Sequence, residues 1–275
     1  MVKLPSDRLN PDEYRALLRR DLVSFAQGCF SELNPRTRFA MSWHIEIIAA
    51  KLTALRGGKI RRLVINLPPR HLKSLLASVA FPAWCLGHDP SAQILCVSYA
   101  QDLSDKLARD CRSIMTSAWY RGIFPTRLAA HRQAVQEFIT TAQGYRLATS
   151  NGGVLTGRGA DIILIDDPLK PEEALSDAQR QAANDWFDHT LYSRLNDTQT
   201  GAMILCMHRL HEDDPRAMCC RKKNGRSCGL PRSPRRTRPT RSRPNWNGTR
   251  LPGGAAGPSI PSASHCRRSS RSAAR

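Results

Sequence analysis

Lys73 and Ser74 stand at the first turn of a predicted helix, "KSLLASVAFPAWCLG", one short turn after the apolar strand "RRLVINL". A helix start presents free N–H groups and the positive end of the helix dipole, which together make a seat for an anion. A Lys–Ser pair there suits a nucleotide polyphosphate with magnesium: Lys73 would reach the β- and γ-phosphates, and Ser74 Oγ would ligate Mg²⁺. The usual phosphate-loop pattern, G-x-x-x-x-G-K-[ST], would want glycine at Leu67 and Leu72, and both glycines are missing. Taken alone, the pair also fits an ordinary capped helix after a strand.

About ninety residues further on, the apolar run "DIILIDDP" ends in two adjacent carboxylates, Asp166 and Asp167. Placing two acids side by side at the end of a buried strand is costly unless a cation or a proton accompanies them. In that order and at that spacing, the two motifs read as halves of one nucleotide site. Asp166 would hold water on the metal and Asp167 would polarise the attacking water. The rival reading is a solvated turn after a core strand.

The elements around these motifs are legible as alternating strands and helices. Two helical stretches come first, "PDEYRALLRRDLVSFAQGCF" and "WHIEIIAAKLTALRGG", the second closed by Gly57-Gly58. After "RRLVINL" and its helix come a strand "AQILCVSYA" and a helix "DLSDKLARDCRSIM". A hairpin, "QEFITTAQGYRLATS", leads through the glycine-rich "NGGVLTGRGA" into the acidic strand. The helix "SDAQRQAANDWFDHTLYSRLND" and a last strand, "AMILCMHR", follow. Continuous apolar strands between helices predict an α/β fold with a mostly parallel sheet flanked by helices.

Charge divides the chain unevenly. Residues 216–275 hold 16 of the 42 Lys and Arg and none of the 23 Asp and Glu. Residues 1–215 are therefore near neutral and long enough for one well-buried domain. The remainder is rich in Arg, Pro and Ser, with only Leu230, Leu251 and Ile260 as large aliphatics. It cannot bury enough apolar surface to offset its chain entropy and is expected to be disordered. No run approaches the roughly 20 apolar residues that span a bilayer, and the N-terminus lacks the apolar core of a signal peptide. Cys29, Cys85, Cys96, Cys111 and Cys206 sit singly in apolar runs, as reduced core thiols of a cytoplasmic protein do. Cys219, Cys220, Cys228, His265 and Cys266 match no common zinc spacing.

With these residues in view, the sequence resembles the large, motor subunits of tailed-phage terminases. "RLVINLPPRHLKSLLASVAFPAWCLGHDPSAQILCVSYA" is similar to their deviant phosphate loop, its helix and the next strand. "GGVLTGRGADIILIDDPLKPEEALS" resembles their acidic strand and its approach, and "AMILCMHRLHEDD" their coupling strand. The likeness runs from about residue 23 to 214. It implies a P-loop NTPase fold of the RecA-like ASCE type, with ATP and Mg²⁺ as cofactors. The expected layout is an N-terminal helical segment over 1–58, the ATPase over 59–214 and a basic tail over 215–275.

The resemblance also implies roles for single residues. Pro69, Arg70, His71, Leu72, Lys73 and Ser74 would wrap the phosphates, with Arg70 contacting the γ-phosphate. Trp43 and His44 would lie near the adenine. Arg158, in "TGRGA", would reach a neighbouring subunit's nucleotide, and Arg209, after His208, would link hydrolysis to DNA movement. Asp167 stands where many relatives have Glu, one methylene longer. Lys73 is expected to meet phosphate and not to pack. The implied partners are double-stranded DNA, a portal protein, the small terminase subunit and further copies of this chain in a ring. The implied place is the bacterial host cytoplasm and, transiently, the procapsid portal of a phage or prophage. The alternatives are a non-catalytic DNA-binding remnant or another P-loop nucleic-acid motor such as a helicase.

Family members continue into a nuclease domain with metal-binding carboxylates, and nothing after Asp214 supplies a carboxylate. The genetic code offers an explanation. Read from the third base of each codon, the Met218–Cys219 overlap must encode Val and the Cys219–Cys220 overlap must encode Leu. The tail is therefore read as out-of-frame coding sequence after a frameshift near Pro215, rather than as a DNA-binding arm. Restoring one base near codon 215 should give a frame that carries Gly-His and then Trp shortly after Asp214 and runs for a second domain's length. A stop within a few codons would require the basic tail to be a genuine segment.

Overall fold

Each of the central strands is apolar on both faces because it is covered on both faces. The computed structural model describes residues 9–153, 155 and 157–208, with the side chains of 131–133 left aside. Arg209 and the whole basic tail, with its expected disorder and its cysteines, lie outside the described residues. Seven strands form one sheet: β1 (Arg62–Asn66), β2 (Gln93–Ser98), β3 (Leu128–Gln133), β4 (Glu137–Thr140), β5 (Tyr145–Ser150), β6 (Ile162–Asp166) and β7 (Ala202–Met207). Their order across the sheet is β1-β7-β6-β2-β5-β4-β3. The first five in that order run parallel, and β4 and β3 add an antiparallel margin. This is the α/β, mostly parallel sheet predicted from the alternation of elements.

Side chains alternate across the sheet with the period of two that a strand imposes. Leu63, Ile65, Ile94, Cys96, Leu164, Ile204 and Cys206 face one helical layer. Val64, Leu95, Val97, Ile163, Ile165, Met203 and Leu205 face the other. The first layer holds α2 (Leu22–Leu33), α3 (Trp43–Arg56), α4 (Phe81–His88), α5 (Gln101–Thr116) and α6 (Ala118–Ile123). The second is covered by α7's C-terminal end and the π-helical turn Phe187–Leu191 that continues it; α7 itself is Asp177–Trp186. By this alternation Asp166, two residues after Leu164, points to the first layer.

The structure departs from the sequence reading at four elements. The opening helix is two helices, α1 (Pro11–Arg20) and α2, because Asp21 leaves helical geometry and its carboxylate accepts from Ser24 N at 2.8 Å. An acid inside a periodic pattern reads as a surface position; here it is an N-cap. The helix after β1 begins as α-helix at Lys73, slips into a π-helical stretch at Leu75–Ala80 and returns as α4. Pro82 explains the slip: it has no N–H to give the Ser78 carbonyl four residues back, and Phe81 N–H already bonds five residues back to Leu76 O. The edge strand β3 and the short helix α6 were not visible in the hydrophobic pattern.

All five early cysteines are buried and free, as expected of core thiols. Burial pushes Cys85 and Cys111 up, Cys111 to about 12, so neither is a nucleophile near neutrality. Among the described residues no helix is long and apolar enough to cross a membrane.

Candidate nucleotide site

The carboxyl ends of β1, β6 and β7 lie together at one edge of the sheet, where ligands bind in open α/β folds. Residues 67–72 leave β1 there, and Lys73 and Ser74 begin the helix. Leu67 N–H reaches Met207 O at 3.2 Å, so the first residue of the loop still belongs to the β1–β7 ladder. It has no need of glycine. The second missing glycine is different: Leu72 holds φ at 59°, and Arg70 holds 63°. The loop keeps the left-handed turns that glycine adopts freely, at a cost of about 1–2 kcal/mol per residue. Leu72 also packs against the first core layer, which helps hold it there.

His44, at the start of α3, braces this loop from below. His44 Nε2 donates to the His71 carbonyl at 3.2 Å, which leaves Nδ1 to accept from Ser42 Oγ at 2.9 Å. His71 Nδ1 in turn donates to Pro69 O at 2.9 Å. Trp43 is 49 % exposed beside them, its ring edge-on to His44. The structure thus brings His44, Pro69, His71 and Leu72 together, with Trp43 at the rim.

Lys73 does not wait in solvent. Its side chain is 7 % exposed, and Nζ donates to Asp167 Oδ2. The expectation that Lys73 does not pack is therefore corrected: it is the buried counter-charge of the acidic pair. Asp167 has φ at 48°, the left-handed kink that turns its carboxylate toward the lysine. Its N–H is held by Cys206 O at 2.8 Å and its carbonyl by Tyr99 N–H at 3.0 Å. Aspartate tolerates this geometry better than most side chains. His208 Nδ1 stands 3.4 Å from Asp167 Oδ1.

Asp166 is 1 % exposed and accepts from Ser78 Oγ at 2.8 Å, with Ser74 beside it. Loss of hydration pushes its carboxyl up from the ordinary aspartate range; Lys73 pulls it back and the neighbouring Asp167 raises it again. Asp166 Oδ1 and Asp167 Oδ1 are buried without a hydrogen-bond partner among the described residues. Orphaned carboxylate oxygens beside a serine hydroxyl are what a hydrated divalent cation would satisfy, and Ser74 and Asp166 fit that role. Among the described residues no group of three or more His, Cys, Asp and Glu forms a metal cage. A cation here would therefore take most of its ligands from phosphate and water.

Arg158 is not brought to this edge. Its guanidinium donates to Glu137 Oε2 at 2.8 Å and lies over the Tyr145 ring, at the amino end of β5. Sequence reasoning missed Ser78, and the signal was present: one serine inside the apolar helical run "LLASVAF".

No protein-family model matches the chain, and no curated protein matches it. Among solved structures it is similar to the crystal structure of the HK97 bacteriophage large terminase, with 10 % sequence identity and a TM-score of 0.46. The similarity covers 73 % of this chain and 40 % of that one, so the chain spans about two fifths of that protein's length.

Proposed function

We propose that the chain is a nucleoside-triphosphate hydrolase, the ATPase module of a phage or prophage terminase large subunit. One observation carries the reading. A buried lysine at a helix start after β1 meets paired acids at the end of β6, with β7 inserted between the two strands. In this reading Lys73 exchanges Asp167 for the β- and γ-phosphates, and the freed Asp167 carboxylate turns to the attacking water. Ser74 and Asp166 would hold Mg²⁺, whose charge neutralises the phosphates. Arg70, exposed on its left-handed turn, is free to approach the γ-phosphate. Trp43 offers a face for adenine, Arg158 a cation for a neighbouring copy, and Arg209 a coupling residue. Double-stranded DNA, a portal protein and a small terminase subunit are the proposed partners of a ring acting in the bacterial cytoplasm.

Asp167→Asn tests the assignment. It should bind MgATP as the parent does by calorimetry and hydrolyse it about a hundredfold more slowly or worse, the usual weight of a general base. Unchanged turnover would remove Asp167 from the chemistry. The rival, a non-catalytic remnant, draws on the Lys73–Asp167 pair, which completes the site internally without nucleotide. That rival wins if the parent chain binds no MgATP.

A further inference from the structure

The Ser78 hydroxyl decides which oxygen of Asp166 is left for a ligand. Ser78 is 1 % exposed, and its Oγ donates to Oδ2 at 2.8 Å. Oδ1 of the same carboxylate is buried and has no hydrogen-bond partner among the described residues. A carboxylate at a strand end can rotate about its last bond. One fixed oxygen stops that rotation and keeps the other aimed into the site.

The serine is itself held at its backbone. Because Pro82 cannot donate, the Ser78 carbonyl is released from ordinary helical pairing. Arg146 Nη2 donates to it at 3.2 Å. Arg146 sits on β5 in register with Ile94 of β2 and is fully buried, on the same face of the sheet as Asp166. Its Nε and Nη1 have no hydrogen-bond partner among the described residues. A buried guanidinium is costly to keep, and here its hydrogen bond to the Ser78 carbonyl clamps the π-helical stretch that carries Ser78. Burial pushes the Cys96 thiol up, while Arg146 draws it down and Asp166 raises it again, so it feels both ends of this arrangement.

We propose that Ser78 is a positioning residue for a divalent cation: it pins Asp166 Oδ2 so that Oδ1 receives the metal's water, with Arg146 holding the Ser78 backbone in place. This rests on the nucleotide reading above. The test uses the full chain, Mn²⁺ as the metal and ADP as the nucleotide. Mn²⁺ binding in the presence of ADP is read by electron paramagnetic resonance, and ADP binding in EDTA by calorimetry. Ser78→Ala should weaken Mn²⁺ about tenfold or more, the usual range for a group that orients a metal ligand, while metal-free ADP binding stays within about twofold. Ser78→Cys, similar in volume but a weak donor, should behave like alanine, and Ser78→Thr should restore the metal.

Parental Mn²⁺ affinity in Ser78→Ala and Ser78→Cys would overturn the proposal. So would an equal loss of ADP in EDTA, because that reports a collapsed site. If the unsubstituted chain binds ADP neither with nor without Mn²⁺, the nucleotide reading itself falls and the positioning role falls with it. That outcome is seen before any substitution is made.

Discussion

Lys73→Ala should abolish MgATP hydrolysis, by about a thousandfold or more, and should also destabilise the protein. The first effect follows from removing the cation aimed at the transferring phosphoryl group. The second comes from the apo geometry, in which Lys73 is the buried partner of Asp167 and draws the Asp166 carboxyl down. Removing one member of a buried pair leaves its partner uncompensated, at a cost of about 3 kcal/mol near neutral pH. Urea denaturation across pH separates the two roles. Lys73 favours the charged form of Asp166, so this part of its contribution to stability is present where Asp166 is ionised and is lost as it takes its proton. The gap between variant and parent should therefore narrow as pH falls through the carboxylate range. A constant gap from neutral pH into acid would mean that Lys73 packs without pairing.

Asp166→Asn should move activity and stability in opposite directions. The amide cannot hold the metal's water as a carboxylate does, so MgATP turnover should fall by about a thousandfold, equivalent to about 4 kcal/mol. Metal-free stability should rise. Burial raises the Asp166 carboxyl above its ordinary value, so the folded chain keeps this proton more tightly than the unfolded one. Stability linked to that proton is fully present below the unfolded value and is lost as pH rises through the raised folded value. Asparagine removes this loss, and Ser78 can still donate to the amide oxygen. A gain of about 1 kcal/mol in thermal unfolding at neutral pH, vanishing in acid, is the expected signature. A loss of stability at neutral pH would place the ionised carboxylate among the groups that hold the fold together.

The strands and their acids were legible because burial on both faces leaves an unbroken apolar run, and "IILIDD" breaks that run with two charges. Lys73-Ser74 was legible from type and position alone. Its partner was not: which of two adjacent acids takes the lysine depends on the left-handed kink at Asp167, and no residue type announces that kink. The turn at Leu72 is hidden for the same reason, since a sequence without glycine gives no sign of a glycine-like backbone. Arg158 reads as a mobile cation in a glycine-rich loop, and only three-dimensional packing reveals Glu137 and Tyr145 beside it. Asp21 reads as one more surface acid of a long helix, because capping and solvation look alike in a periodic pattern.

The placement of β7 sets the timetable of folding. It lies between β1 and β6, so strand residues 62–66 find their neighbours only in residues 202–207. At ordinary synthesis rates of roughly 5–20 residues per second, β1 leaves the ribosome about ten seconds before the strand that covers its edge. During that interval Leu63, Val64 and Ile65 form a bare, aggregation-prone template. The adjacent Arg61 and Arg62 put like charge at its entrance, and two nascent chains must bring those charges together to pair there. A chain cut anywhere between β6 and β7 keeps two parallel edges open for good, which makes the last described strand the one the sheet can least do without.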